Sequence, residues 1–142
     1  LTGELFAVMM GHAFVARMAE SPEATDWAAF DTGCDAARDG RGRTAGLLQK
    51  LFTVRTGWLS GALPAAGMRD YLSGLIIGSE FAEAQASGWF PADGSLTLIG
   101  SPALMAAYRR AASAFGLVAT AAPDDAAVRG ALRLARAVAA RE

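Results

Sequence analysis

Apolar residues recur along the first ninety positions of this chain at three- and four-residue spacing, the pattern of helices that each bury one face. Leu5, Phe6, Met9, Met10, Ala13 and Phe14 predict a first helix from Thr2 to about Ala19. Ser21-Pro22 opens the next segment, with proline at a first helical position, Glu23 and Asp26 in the opening turns, and Trp27, Phe30 and Cys34 on one stripe. A polar, glycine-broken loop follows at residues 38–43, and Leu47, Leu48, Leu51 and Phe52 then form another helical face. Residues 57–64 are turn-rich. The strongest helical pattern runs from Ala65 to about Ala86, with Met68, Tyr71, Leu72, Leu75, Ile76, Ser79 and Phe81 inward and Ser87-Gly88 as its stop.

The period changes after the turn at Pro91-Ala92-Asp93-Gly94. Leu96-Thr97-Leu98-Ile99 reads as a short buried strand, Gly100-Ser101-Pro102 as a turn, and the residues from Met105 to Gly116 as an amphipathic helix ended by glycine. Residues 117–121 read as a second strand, and Pro123-Asp124-Asp125 starts a final helix to about Ala140. Helix, strand, helix, strand, helix implies a short parallel sheet with a right-handed crossover. The expected fold class is therefore α/β and helix-rich, a single domain over residues 1–142. Within it, residues 1–56 form a helical part and residues 65–142 a helix-strand-helix-strand-helix lobe.

That second half holds the most informative turn. A strand followed by Gly100-Ser101-Pro102 and a helix places free backbone N–H groups and a helix N-terminus beyond the carboxyl end of a strand. Open α/β sheets seat nucleotides and phosphates there, because unpaired donors and the helix dipole favour anions. An ordinary α/β connection has the same pattern, so the turn needs support from elsewhere.

Composition narrows the classes. With 53% hydrophobic and 19% charged residues in 142, the chain is a folded domain with a real core. Thirteen basic against fourteen acidic residues leave a net charge of −1, which gives no electrostatic footprint for nucleic acid. One cysteine allows no intrachain disulfide, and no apolar run reaches membrane-spanning length, so a cytoplasmic protein with no membrane partner is expected. The chain opens at Leu1-Thr2-Gly3-Glu4-Leu5-Phe6 almost directly on a helix, the pattern of the second half of something longer.

Several residues invite a catalytic reading. Asp31-Thr32-Gly33 matches an aspartic-protease tripeptide, but that chemistry needs two carboxylates sharing a proton in β-loops, and one copy lies here in helical sequence. His12 lacks neighbours at metal-ligand spacing, and Cys34 lacks an adjacent base, so neither marks a site. Gly74-Leu75-Ile76-Ile77-Gly78 has the spacing that lets helices approach closely. Arg55 could hold a carboxylate or phosphate through two N–H bonds, or lie solvated at the surface.

Four blocks in order carry a resemblance: Leu1-Thr2-Gly3-Glu4-Leu5-Phe6, Leu51-Phe52-Thr53-Val54-Arg55-Thr56, Asp70-Tyr71-Leu72-Ser73-Gly74-Leu75-Ile76-Ile77-Gly78, and Leu98-Ile99-Gly100-Ser101-Pro102. Together they resemble the carboxyl-terminal half of bacterial 2-dehydro-3-deoxygalactonokinases. Tyr108, Ala111, Gly116 and Arg129-Gly130-Ala131-Leu132 fit the same pattern, and the block at residues 70–78 is the most specific. The resemblance implies one lobe of a sugar-kinase/actin-like ATPase fold, built of two ribonuclease-H-like lobes with ATP and a sugar acid in the cleft. It implies transfer of the ATP γ-phosphoryl group to the 6-hydroxyl of 2-dehydro-3-deoxy-D-galactonate, with Mg²⁺.

The same resemblance implies that Gly100, Ser101 and Pro102 contact the adenosine. Ser73 and Gly74 would lie beside the nucleotide, with helix–sheet packing explaining the helix glycines. Thr2, Gly3 and Arg55 would lie near the cleft. The family's phosphate loops and catalytic carboxylate are expected upstream of Leu1, so no catalytic or metal-ligating residue is assigned, and the chain alone is expected to be inactive. A missing amino-terminal lobe is the expected partner, and apolar surface left open by its absence favours a homodimer. A freestanding α/β module binding a nucleotide or a protein, and a purely structural helical domain, are the alternatives from the residues alone.

Overall fold

Most of the regular apolar spacing folds as helix in the computed structural model, which describes residues 1–20, 23–38, 46–91 and 93–140. The elements are α1 (Thr2–His12), a 3₁₀ turn (Phe14–Ala16), α2 (Trp27–Arg38), α3 (Leu47–Leu59), α4 (Ala65–Ala86), β1 (Ser95–Leu98), α5 (Pro102–Ala114), β2 (Val118–Ala121) and α6 (Ala126–Ala139). They divide into two compact units, Leu1–Phe90 and Pro91–Glu142. The long helix α4, grouped with the strands in the sequence reading, packs within the first unit along α2.

The first unit is built around α4. Met68, Leu72 and Leu75 are fully buried against a core that includes Val54 of α3, with Phe30 and Cys34 of α2 equally buried. All seven positions expected to face inward on α4 do so. Three glycines set how closely α2 and α4 approach. A Cβ on Gly74 would overlap the Phe30 carbonyl, and one on Gly33 would overlap the Tyr71 carbonyl and sit 2.8 Å from the Leu75 nitrogen. At Gly78 it would lie 2.9 Å from the Ala37 Cβ and 3.0 Å from the Cys34 Cα. The two backbones are thus in direct contact, and the Cys34 thiol donates to the Gly74 carbonyl across the seam at 3.3 Å. The α4 glycines serve helix–helix packing against α2, a correction to the helix–sheet packing expected of them.

Polar bonds fix the ends. Asp26 Oδ1 accepts the Ala28 and Ala29 N–H groups at 3.0 Å each, which caps the start of α2. The Asp26 N–H itself donates to Asp70 Oδ2 at 2.6 Å, and Arg69 donates to Asp70 Oδ1 at 3.1 Å. Asp70 is 3% exposed, so these bonds satisfy a buried carboxylate and tie α4 to the root of α2. At the other end the Lys50 ammonium donates to the Ala37 carbonyl at 2.5 Å, occupying a terminal acceptor of α2 from α3.

Three local expectations in this unit are corrected. The first helix ends at His12 instead of about Ala19, where Ala13 turns to φ −85°, ψ 142° after the weak helix formers Gly11 and His12. Phe14 is exposed as a result, while Leu5, Phe6, Met9 and Met10 pack on the core as expected. On α3 the buried residues are Leu51 and Val54, and Leu48 (86% exposed) and Phe52 point away, because only a narrow stripe of α3 meets α4. The second helix starts at Trp27, and residues 23–26 precede it, because Asp26 caps the helix from outside instead of lying in its opening turns with Glu23; Ser21-Pro22 and positions 39–43 of the polar loop lie outside the described residues.

In the second unit β1 and β2 pair in parallel, Ser95 opposite Val118 through Leu98 opposite Ala121. The expected buried strand is half-buried instead: Leu96 and Leu98 are partly covered while Ser95, Thr97 and Ile99 are exposed. Ala111, Ala112 and Leu117 are the buried residues here. On α6 Val128, Leu132, Leu134 and Val138 are all more than half exposed, an uncovered apolar face opposite Arg129, Arg133 and Arg136.

The glycine seam gives a direct test. Gly74→Ala or Gly33→Ala is expected to destabilise the first unit by about 3 kcal/mol or more, since backbone on both sides must move. Gly3→Ala in α1, where a Cβ meets nothing within 4 Å, is expected to be neutral or to stabilise by up to about 1 kcal/mol. Urea unfolding followed by circular dichroism measures all three.

Candidate functional site

The strand–turn–helix unit forms as its sequence dictates. Ser101 adopts φ −66°, ψ 154° as the N-cap of α5, its Oγ accepts the Leu104 N–H at 3.4 Å, and Pro102 takes the first helical position. The helix ends where Gly116 adopts φ 73°, and the Leu117 N–H closes back on the Ala112 carbonyl at 2.9 Å to aim the chain into β2. Asp93 shapes the entry to β1 by accepting the Ser95 N–H at 3.0 Å. That backbone bond, with a second from the Ser95 side chain, holds the Asp93 carboxyl below its ordinary pKa.

The turn suits some ligands better than others. Pro102 has no N–H and Ser101 engages that of Leu104, so in the first helical turn Ala103 retains the donor that the cap does not use. Residues 95–105 contain no lysine or arginine. Ile99 (66% exposed) and Leu104 (46% exposed) flank an exposed Gly100, whose added Cβ would make only ordinary contacts of 3.5 Å with Leu104 and 3.9 Å with Met105. An open glycine between apolar side chains fits the flat face of a nucleoside. A triphosphate would find few donors and no cation.

The remaining expected site residues lie in the first unit. Gly74 is buried at the α2 seam, and Ser73 beside it is half-buried. Thr2 donates its hydroxyl to Glu80 Oε2 at 2.9 Å, linking α1 to α4, and Gly3 is exposed. The Arg55 guanidinium stacks 3.7 Å over the Phe14 ring and donates weakly to the Phe14 carbonyl at 3.5 Å. Asp31-Thr32-Gly33 lies inside α2, where Thr32 donates to the Ala28 carbonyl at 2.8 Å and Gly33 serves the seam. His12 is exposed at the end of α1. No group of three or more His, Cys, Asp or Glu side chains among the described residues is arranged to hold a metal, and no helix among them is long and apolar enough to cross a membrane. A cavity of about 610 Å³ between α2, α3 and the start of α4 went unread in the sequence, since its hydroxyls are scattered from Thr32 to Tyr71.

A helix-rich α/β chain with a capped strand–turn–helix unit is compatible with many functions, and comparison with known proteins selects one class, the sugar kinases. The profile of the 2-keto-3-deoxy-galactonokinase family matches residues 1–134, and the chain belongs to that family. It is 31% identical over 140 residues to a 2-dehydro-3-deoxygalactonokinase of Escherichia coli (strain K12), covering 98% of this chain and 46% of the relative. It is 36% identical over 137 residues to a probable 2-dehydro-3-deoxygalactonokinase of Rhizobium meliloti (strain 1021), covering 95% and 43%. The chain therefore spans a little under half the length of these curated relatives.

Two measurements check the local geometry. Ser101→Ala is expected to weaken the start of α5 by about 1 kcal/mol, seen as faster amide exchange at Met105 to Ala107. The contribution of Asp93 is present above its unfolded pKa and is lost as pH falls through its lowered folded value, so an NMR titration should place its midpoint below that of a free aspartate.

Proposed function

We propose that this chain supplies the carboxyl-terminal half of an ATP-dependent kinase that phosphorylates 2-dehydro-3-deoxy-D-galactonate at its 6-hydroxyl. The observation that carries the reading is membership of the galactonokinase family at a little under half the length of its relatives. Uncovered apolar surface agrees with it. Leu48, Phe52 and Leu59 form an exposed stripe on α3, the apolar face of α6 is open, and the strands are only half-covered. Parallel strands are ordinarily buried on both faces, so these surfaces suit an amino-terminal lobe, with a homodimer as the other way to cover them.

Within this reading the Gly100-Ser101-Pro102 turn holds the nucleoside against Ile99 and Leu104. Ser73 and Gly74 act at one remove, Gly74 by fixing α4 on α2. Arg55, with Thr2 and Gly3, stands on the side expected to border the cleft. ATP when bound supplies the phosphoryl group, with Mg²⁺ to offset its charge. The phosphate and metal contacts, and the group that accepts the sugar hydroxyl proton, are assigned to the other half, because residues 95–105 provide no cation. Phosphoryl transfer depends on positioning by both halves, so this chain alone should turn over no substrate. A cytoplasmic setting suits a buried free thiol at Cys34 and a metabolic substrate.

Calorimetry with ADP, and phosphoryl transfer from ATP to the sugar acid, test the proposal. The 142-residue chain is expected to bind ADP weakly and show no turnover. Joined to the remaining portion of the Escherichia coli relative it is expected to gain kinase activity. Gly100→Trp, which the fold can accommodate because Gly100 faces no backbone, should abolish ADP binding and raise KM for ATP while sparing KM for the sugar acid. Turnover by the isolated chain, or unchanged ADP binding in Gly100→Trp, would sink it.

A further inference from the structure

The cavity between α2, α3 and the α3–α4 connection has a chemistry of its own. It is a solvent-open cleft of about 610 Å³, and its polar lining comprises the hydroxyls of Thr32, Thr53, Thr56, Ser60 and Tyr71 with the Asp26 carboxylate. Each hydroxyl has a hydrogen-bond partner within the protein. Thr32 donates to the Ala28 carbonyl at 2.8 Å, Ser60 to the Gly57 carbonyl at 3.0 Å, and Thr56 to the Phe52 or Thr53 carbonyl at 3.4 Å. Thr53 donates to the Lys50 carbonyl at 2.6 Å, so the 2.8 Å contact between Thr53 and Tyr71 is donated by the tyrosine. What these groups can offer a guest is oxygen lone pairs. Asp26 adds further acceptor oxygen, and no lysine, arginine or histidine among the described residues lines the cavity.

An acceptor-only wall selects its ligand. An anion meets lone pairs and a carboxylate with no cationic side chain among the described lining residues, so the cavity disfavours a sugar acid or a phosphate. A molecule rich in O–H donors finds several acceptors within one small volume, and Leu63 and Pro64 provide apolar surface for its C–H face. The wall is also held in place: the Leu63 N–H donates to the Gly57 carbonyl at 3.0 Å, fixing the connection across α3. We infer that this cleft in the first unit is a binding site for a small uncharged polyhydroxylated ligand, a neutral sugar or polyol. It is separate from the turn assigned to the nucleoside and does not rest on the kinase reading.

Amide NMR titration of the 142-residue chain with D-galactose tests the site, with D-galactonate and D-galactosamine as the anionic and cationic comparisons. D-galactose is expected to shift the amides of Thr53, Thr56 and Ser60 saturably in the millimolar range, and D-galactonate to leave them in place. Thr53→Val and Thr32→Val should each weaken binding by roughly fivefold, the effect of one lost neutral hydrogen bond, with the melting temperature nearly unchanged in Thr32→Val and lowered in Thr53→Val, which also loses the bond from Tyr71. Thr32→Val serves as the check should Thr53→Val perturb Tyr71. The proposal is overturned by an absence of saturable shifts or by galactonate binding as tightly as galactose. Tenfold tighter galactosamine binding, or full retention in both variants, overturns it too. None of these outcomes bears on ADP binding or phosphoryl transfer.

Discussion

The direct contact between the backbones of α2 and α4 is the constraint on which the first unit depends. Gly33 and Gly74 face each other's helix reciprocally, each leaving room for a carbonyl of the partner, and Gly78 extends the contact to Cys34 and Ala37. Glycine in a helix interior costs about 1 kcal/mol relative to alanine, so three such residues on two helices require compensation. Close approach supplies it through dispersion contacts along the seam and through complete burial of Phe30, Leu72 and Leu75 around it. A backbone–backbone seam cannot slide or repack as side chains can, and so it defines the position of everything attached to the two helices.

The polar bonds at either end of the seam turn that position into a larger frame. Asp70 is buried on α4 yet holds the first turn of α2 through the Asp26 N–H, and Lys50 reaches from α3 to the last turn of α2. Thr53 and Tyr71 join α3 to α4 between these anchors. With α2 tied at both ends and α3 joined to α4, a cleft lies between the three helices. The second unit follows another logic: a serine cap, a proline at the first helical position and a left-handed glycine determine each junction locally, and little apolar surface is buried. Its strands and one face of α6 leave apolar surface exposed.

The elements were legible in the sequence because their signals act within about four residues. Three- and four-residue apolar spacing located α4 and its inward face residue by residue, and Gly116 marked the end of α5, whose start lies at Pro102 within the expected turn instead of at Met105. The resemblance to galactonokinases was legible as well, because it is carried by contiguous strings such as residues 70–78, and the family match over residues 1–134 bears it out. Within block 70–78 the seam accounts for Gly74 and Gly78, and the tie to α2 accounts for Asp70.

Tertiary structure alone decided which partner each face meets. The apolar residues of α3 read as one face in the sequence, and contact with α4 buried Leu51 together with Val54 while leaving Leu48 and Phe52 exposed. Gly33 reads as part of a protease-like tripeptide, and the Tyr71 carbonyl opposite made it a packing residue. The hydroxyls of the cavity lie as far apart as Thr32 and Tyr71, with no shared local pattern, and three helix axes had to converge before they lined one space. The sequence by itself determined helices, strands, caps and family, since these follow from short-range hydrogen bonding and contiguous residues. Close approach, exposure and concavity depend on two elements meeting, and only the folded chain determines that.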